Sequence, residues 1–253
     1  MNNILSSRFR LLLTLVTIGT GSSPTYKQVF SSFPWGYKLR NFYALVFRAE
    51  KDGLVRRIQT KSDNLIKITP AGLTMLVDEY GQKWIEVSDL SARSDTSRSW
   101  DKKWRMAIYE MTEKHRYSRD KLRGILGKFG FSMLMRSAYV SPFDVAEGLK
   151  TKLSEENLME NILIFTVEST QLGDHRQIAK RAFGLEQIKD GYLAIARRLQ
   201  FVRGQQIPDK RLRGLKRLKS DFLELVAADP HLPAELLPAD WPFERVSAAM
   251  MKE

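Results

Sequence analysis

Lys38, Arg40, Asn41, Arg48 and Lys51 lie in one stretch that also carries Leu39, Tyr43, Val46 and Phe47 at three- and four-residue spacing. That spacing predicts a helix from about Lys38 to Lys51 with one apolar face, its polar side holding the cations and the amide. Arg and Asn can pair bidentately with guanine and adenine edges, and each such pair is worth roughly 1–3 kcal/mol of discrimination. Arg56, Arg57, Lys61 and Lys67 follow in two β-prone runs, where cations would meet phosphates and set register without reading sequence. The chemistry is that of double-stranded DNA recognition. A solvated basic face has the same composition, so the pattern alone leaves both readings open.

Other chemistries are poorly supplied. The chain has no cysteine, which excludes disulfides, thiolate metal sites, iron–sulfur clusters and cysteine nucleophiles. Its three histidines, His115, His175 and His231, are far apart in sequence, against a histidine-rich metal site. We therefore expect no catalytic residue, no metal and no cofactor. His115, between Lys114 and Arg116, is expected to be a solvated cation or a helix cap. Trp104 and Trp241 are expected to serve packing rather than base stacking.

The elements that must position these residues begin with composition. The chain has 253 residues, 43% of them apolar, and a net charge of +12. Such a basic chain points to a polyanionic partner, nucleic acid before membrane. Arg8, Arg10 and the run from Leu11 to Ile18 resemble a signal peptide only superficially. No stretch approaches the ~20 apolar residues that span a bilayer. We expect no membrane association and a cytoplasmic protein.

Residues 1–80 predict three helices and then a hairpin. The first helix has Phe9, Leu12, Leu13 and Val16 on one face. Ser23 is the expected cap of the second, with Pro24 at its first position. Gly53 is the expected stop of the third. The runs Leu54–Gln59 and Leu65–Thr69 flank a polar turn, and Thr69 caps a further helix. That order is a winged helix-turn-helix. Residues 81–103, rich in Ser, Asp and Arg, read as a linker. Residues 104–170 alternate strand, helix, strand, helix, strand, with 131–140 as a strand or bulged strand pair, a ferredoxin-like unit. Residues 171–253 read as a helical domain, with helices over 176–183, 185–202 and 216–228. Between the last two, the stretch from Arg203 to Lys219 forms a basic patch on a loop and helix start. The fold class is α+β.

Several tracts, in order, resemble PaaX-type transcriptional repressors. They are Val46–Val55, Trp100–Arg105, Tyr109–Met111, Arg119–Leu126, Ala138–Pro142 and the Pro-punctuated Asp229–Trp241, the most specific of the set. The resemblance implies a winged-helix domain that binds operators as a homodimer and a middle domain related to the small CRISPR adaptation nuclease. It also implies a repressor released by an acyl-CoA-type effector, phenylacetyl-coenzyme A in the best-known members. The wing segment from Lys61 to Leu65 lacks that family's Gly–Arg-rich turn. The related nucleases imply an alternative: Glu110, with Glu113, ending the first strand of the middle unit as a Mg²⁺ ligand. An ion pair from Glu110 to Arg105 or Lys114 is the plainer reading of that carboxylate. A third reading is a scaffold whose winged domain contacts protein.

Overall fold

A computed structural model describes residues 6–18, 23–31, 33, 38–60, 64–80, 100–111, 115–168 and 171–251. The architecture is α+β, as expected. The N-terminal part comprises α1 (Ser7–Ile18), α2 (Tyr26–Ser31), α3 (Leu39–Lys51), β1 (Val55–Gln59), β2 (Asn64–Ile68) and α4 (Pro70–Tyr80).

α1 is buried nearly all round, with Leu11, Leu12 and Leu13 all fully inaccessible. A helix with consecutive buried leucines needs partners on more than one side. α2, α3, α4 and β2 supply one side. The other is covered by α9 (Pro208–Ala228), which shares the core with α8 (Leu185–Arg203) and α10 (Phe243–Met251). Phe9, Phe42 and Leu76 thereby share one core with Tyr192, Phe222 and Met250. Two polar ties register this packing. Arg10 donates to Ser220 Oγ at 2.7 Å and pairs with Glu224 at 3.0 Å, and Arg8 pairs with Asp52 at 2.9 Å.

α2 starts two residues later than its sequence signals imply. Thr25 and Gln28 form a reciprocal capping box: Thr25 N–H donates to Gln28 Oε1 at 2.8 Å, and Gln28 N–H to Thr25 Oγ1 at 3.2 Å. Thr25, not Ser23, is the cap. Pro24 is held outside the helix because its carbonyl accepts from Ile66 N–H at 2.9 Å.

α3 has the predicted span but a rotated phase. Its buried face is Phe42, Leu45, Val46 and Ala49, whereas Leu39, Tyr43 and Phe47 are about half exposed. Its end is a Schellman motif: Leu54 N–H donates to Ala49 O, and Gly53 N–H to Glu50 O. Gly53 has φ +73°, which a side chain would strain. β1 and β2 pair antiparallel from Val55↔Ile68 to Gln59↔Asn64. Thr69 caps α4 as expected, accepting from Gly72 N–H at 3.1 Å. A Cβ at Gly72 would lie 2.1 Å from Leu54 O, so glycine is what lets α4 cross the hairpin base.

The central part runs β3 (Lys103–Tyr109), α5 (Arg116–Lys128), β4 (Ser132–Met135), β5 (Ala138–Ser141), α6 (Ala146–Glu155) and β6 (Ile162–Glu168). Its four strands are antiparallel in the order β4-β5-β3-β6. Residues 131–140 form a hairpin whose register shifts between Met133 and Met135. One sheet face, with Ala107, Tyr109, Tyr139 and Ile162, packs on Leu122 and Leu126 of α5 and Leu149 and Leu153 of α6. The opposite face, with Trp104, Met106 and Val140, is covered by Ala179 of α7 (His175–Phe183) and by Leu232 and Leu236.

α9 starts at Pro208, eight residues before the expected 216, with proline in its first turn. The basic stretch expected on a loop is thus largely helical. Beyond α9, Asp229 is buried; it accepts from Tyr192 Oη at 2.7 Å and from His231 N–H at 2.7 Å. Trp241 packs against both flanking cores, so the Asp229–Trp241 tract is a structural joint.

Candidate nucleic-acid interface

Of the nine residues expected to meet DNA, eight fall on α3, its N-cap and the hairpin strands. Lys38 occupies the N-cap position of α3 with no side-chain capping bond, and Arg40 and Asn41 are exposed in its first turn. That turn contains no acidic residue, so nothing on α3 offsets the positive end of the helix dipole there. Arg48 donates Nε–H to Ala44 O at 3.2 Å and keeps its outer nitrogens exposed, and Lys51 ends the helix in solvent. Lys61 lies outside the described residues.

The hairpin divides its cations by face. Arg56 stands directly opposite Lys67 across the ladder, both exposed. Like charges at a cross-strand pair repel, and a phosphate between them would relieve that. Arg57 points the other way, sharing its side of the ladder with buried Ile66. It is ion-paired to Glu50 and lies 6.0 Å from the Phe47 ring centroid. Desolvation acts against the charge, but the Glu50 bond and charge outweigh it and hold the guanidinium above its ordinary pKa. Arg57 therefore orients the hairpin against α3. Among the described residues, Lys38, Arg40, Arg48, Lys51, Arg56 and Lys67 have no carboxylate within ion-pair distance.

The rotated phase of α3 adds residues the sequence reading put in the core. Tyr43 stacks on Tyr26 at 5.6 Å, and Phe47 lies beside Arg57, both half exposed beside the cations. The signal was present: Phe42, Leu45, Val46 and Ala49 form the alternative three-and-four repeat. Lys27 on α2 is also exposed and was missed.

The other candidate chemistry is more dispersed. Glu110 is exposed beyond the end of β3, its N–H donating to Asn161 O at 3.2 Å. Glu113 and Lys114 lie outside the described residues. Arg105 does not take Glu110 as its partner; it is nearly buried and pairs with Asp101 at 2.7 Å and Asp144 at 2.9 Å. Those two carboxylates are nearer because Arg105 is at the opposite end of β3. No group of three or more metal-ligating side chains occurs among the described residues. His115 is exposed at the N-cap of α5 without a side-chain capping bond. Trp104 is fully buried, edge-on to Trp100 at 5.2 Å, a packing role as expected. No helix among the described residues is long and apolar enough to cross a membrane.

Comparison with known proteins places the central unit. Residues 97–179 match the family described as the PaaX protein central Cas2-like domain. A search of curated proteins gave no match. Among solved structures, the uncharacterized protein Rv0674 from Mycobacterium tuberculosis superposes with a TM-score of 0.51 at 17% identity. The superposition covers 96% of this chain and 92% of that one, a likeness of fold. The resemblance to the PaaX-type family is thus borne out over the central unit, where residues 97–179 are similar to the central Cas2-like domain of PaaX proteins.

Proposed function

We propose that this protein is a DNA-binding transcriptional regulator, a homodimeric repressor acting on a palindromic operator in the cytoplasm. In this reading the N-terminal part is a winged helix-turn-helix with α3 in the major groove and the β1–β2 hairpin as wing. The middle part is ferredoxin-like and the C-terminal part a helical domain. The observation that carries the reading is the set of unpaired, outward cations on α3 and the hairpin, with Arg56 and Lys67 forced together. Occlusion of a promoter needs occupancy alone, with no catalytic group, metal or cofactor. An acyl-CoA-type effector would release DNA by binding the DNA-free state more tightly.

A second copy has a surface to use. On the sheet face away from α5 and α6, Ile108 pairs with Leu163 and with Ala138, and Ala138 with Met135. Ile108, Met135, Leu163 and nearby Phe165 are all exposed, an apolar patch of the kind that marks an interface. Two recognition helices related by a two-fold axis would then meet half-sites about one helical turn, roughly 34–36 Å, apart.

Substitution separates reading from holding. Arg40→Ala should relax sequence preference, whereas Arg56→Ala should weaken binding to all duplexes alike. Preference unaltered in Arg40→Ala would remove α3 from the reading role.

A further inference from the structure

Helix α9 is the most cationic element whose charge the reading above leaves unused. Its first half carries Lys210, Arg211, Arg213, Lys216 and Arg217 against the single carboxylate of Asp209, and its second half carries Lys219, Asp221 and Glu224. The two carboxylates of the second half are already engaged, Asp221 with Arg198 at 2.7 Å and Glu224 with Arg10 at 3.0 Å. Among the described residues, Lys210, Arg213, Lys216 and Arg217 have no carboxylate within ion-pair distance. Lys210, Arg213 and Arg217 are exposed, and their i, i+3, i+7 spacing puts them on one helix face.

The opposite side of the helix is docked on the N-terminal part. Lys219, buried on the same helix, donates to Ser31 O in the last turn of α2 at 3.0 Å. Lys216 lies 5.6 Å from the Phe30 ring, and Phe30 in turn packs on Phe42 of α3 at 5.3 Å. The basic half of α9 is therefore fixed beside the end of α2, the helix that precedes α3 in the chain. In a helix-turn-helix the helix before the recognition helix crosses the DNA backbone. Cations without carboxylate partners, carried on a helix docked beside that one, are placed to reach further phosphates of a duplex held there.

We propose that Lys210, Arg213, Lys216 and Arg217 form a second phosphate-contacting surface that extends the DNA interface beyond the segment covered by α3 and the wing. The proposal rests on the DNA-binding reading and adds a contribution from the C-terminal end of the chain. It assigns these cations to duplex backbone rather than to the phosphates of a small effector.

The test uses the full chain and the Arg213→Ala/Arg217→Ala double variant, both sites being exposed. Affinity for a duplex carrying the preferred site is followed against salt, once with long flanks and once with trimmed flanks. Two lost phosphate contacts should lower the salt slope by about 1.8 on the long duplex. Sequence preference should stay intact, and trimming should bring wild type and variant together. Equal slopes for wild type and variant on the long duplex would overturn the proposal while leaving the DNA reading standing. Wild-type protein with no salt-dependent affinity for any duplex would overturn both. A variant that binds duplex normally but loses affinity for coenzyme A would reassign the surface to an effector phosphate.

Discussion

Several cations in and beside the central sheet and those of α3, the outer face of the hairpin and the first half of α9 are the same residue types in opposite circumstances. In the central unit Arg105 is clasped by Asp101 and Asp144, Lys121 by Glu156, Lys152 by Glu155 and Glu156, and Lys103 by Glu168. On α3 and the outer face of the hairpin there is no such partner, and Arg56 and Lys67 are set against each other. Residues 101–170 hold twelve basic and ten acidic side chains, while residues 1–80 hold eleven and five. Paired cations hold a fold together. Unpaired ones clustered on a face are available to a partner, and their mutual repulsion favours a polyanion.

The largest expected effect lies on the paired side. Arg105→Ala should lower stability by about 3 kcal/mol, read by denaturant unfolding, because it removes a buried side chain together with its charged hydrogen bonds to Asp101 and Asp144. If its stability were unchanged, the paired cations would not be structural and the contrast would fail. Next, Arg40→Ala should cost roughly 1–3 kcal/mol of discrimination between operator and scrambled duplex, with unfolding unaltered. Leu163→Asp, on the exposed sheet face, should shift the chain toward monomer in sedimentation and weaken binding to a two-half-site duplex more than to a single half-site. Smallest is Lys67→Ala: a salt slope lower by about 1, together with a gain of a few tenths of a kcal/mol in folding stability as the repulsion with Arg56 disappears. A loss of stability there would mean the pair is not strained.

The alkaline limb offers one more check on the joint between the two cores. Burial, then the nearby Asp229 charge and the hydrogen bond to it, push the Tyr192 hydroxyl well above its ordinary pKa. A raised pKa in the folded state means stability is complete below the unfolded value of about 10 and is lost as pH rises above it. Tyr192→Phe should lower stability at neutral pH by removing the bond to Asp229 but flatten its decline above pH 10.

Much of the fold is readable locally. The strand, helix, strand, helix, strand order expected over 104–170 is found as β3, α5, the β4–β5 hairpin, α6 and β6 because alternation and the three-and-four repeat are strong there. Gly53 and Thr69 act as the terminator and cap that their types imply. The misses have physical causes. The start of α9 is rich in Lys and Arg, so the apolar repeat that reveals a helix is faint; Pro208 after Ile207 was the available signal. The phase of α3 was misassigned because aromatic Tyr43 and Phe47 look like core residues yet rest on Tyr26 and Arg57 at the surface. The burial of α1 against α9, in one core with α8 and α10, joins segments far apart in the chain, which no local pattern encodes. Three successive leucines with no exposed side were its trace.

The most direct measurement is binding of the purified protein to the DNA upstream of its own gene, beside a scrambled duplex, at two salt concentrations. The account predicts affinity that falls steeply with salt on both duplexes, with the native sequence still preferred at the higher concentration. Equal, salt-labile affinity for the two would reduce the unpaired cations to a generic basic surface. Binding indifferent to salt would contradict their assignment to phosphates altogether.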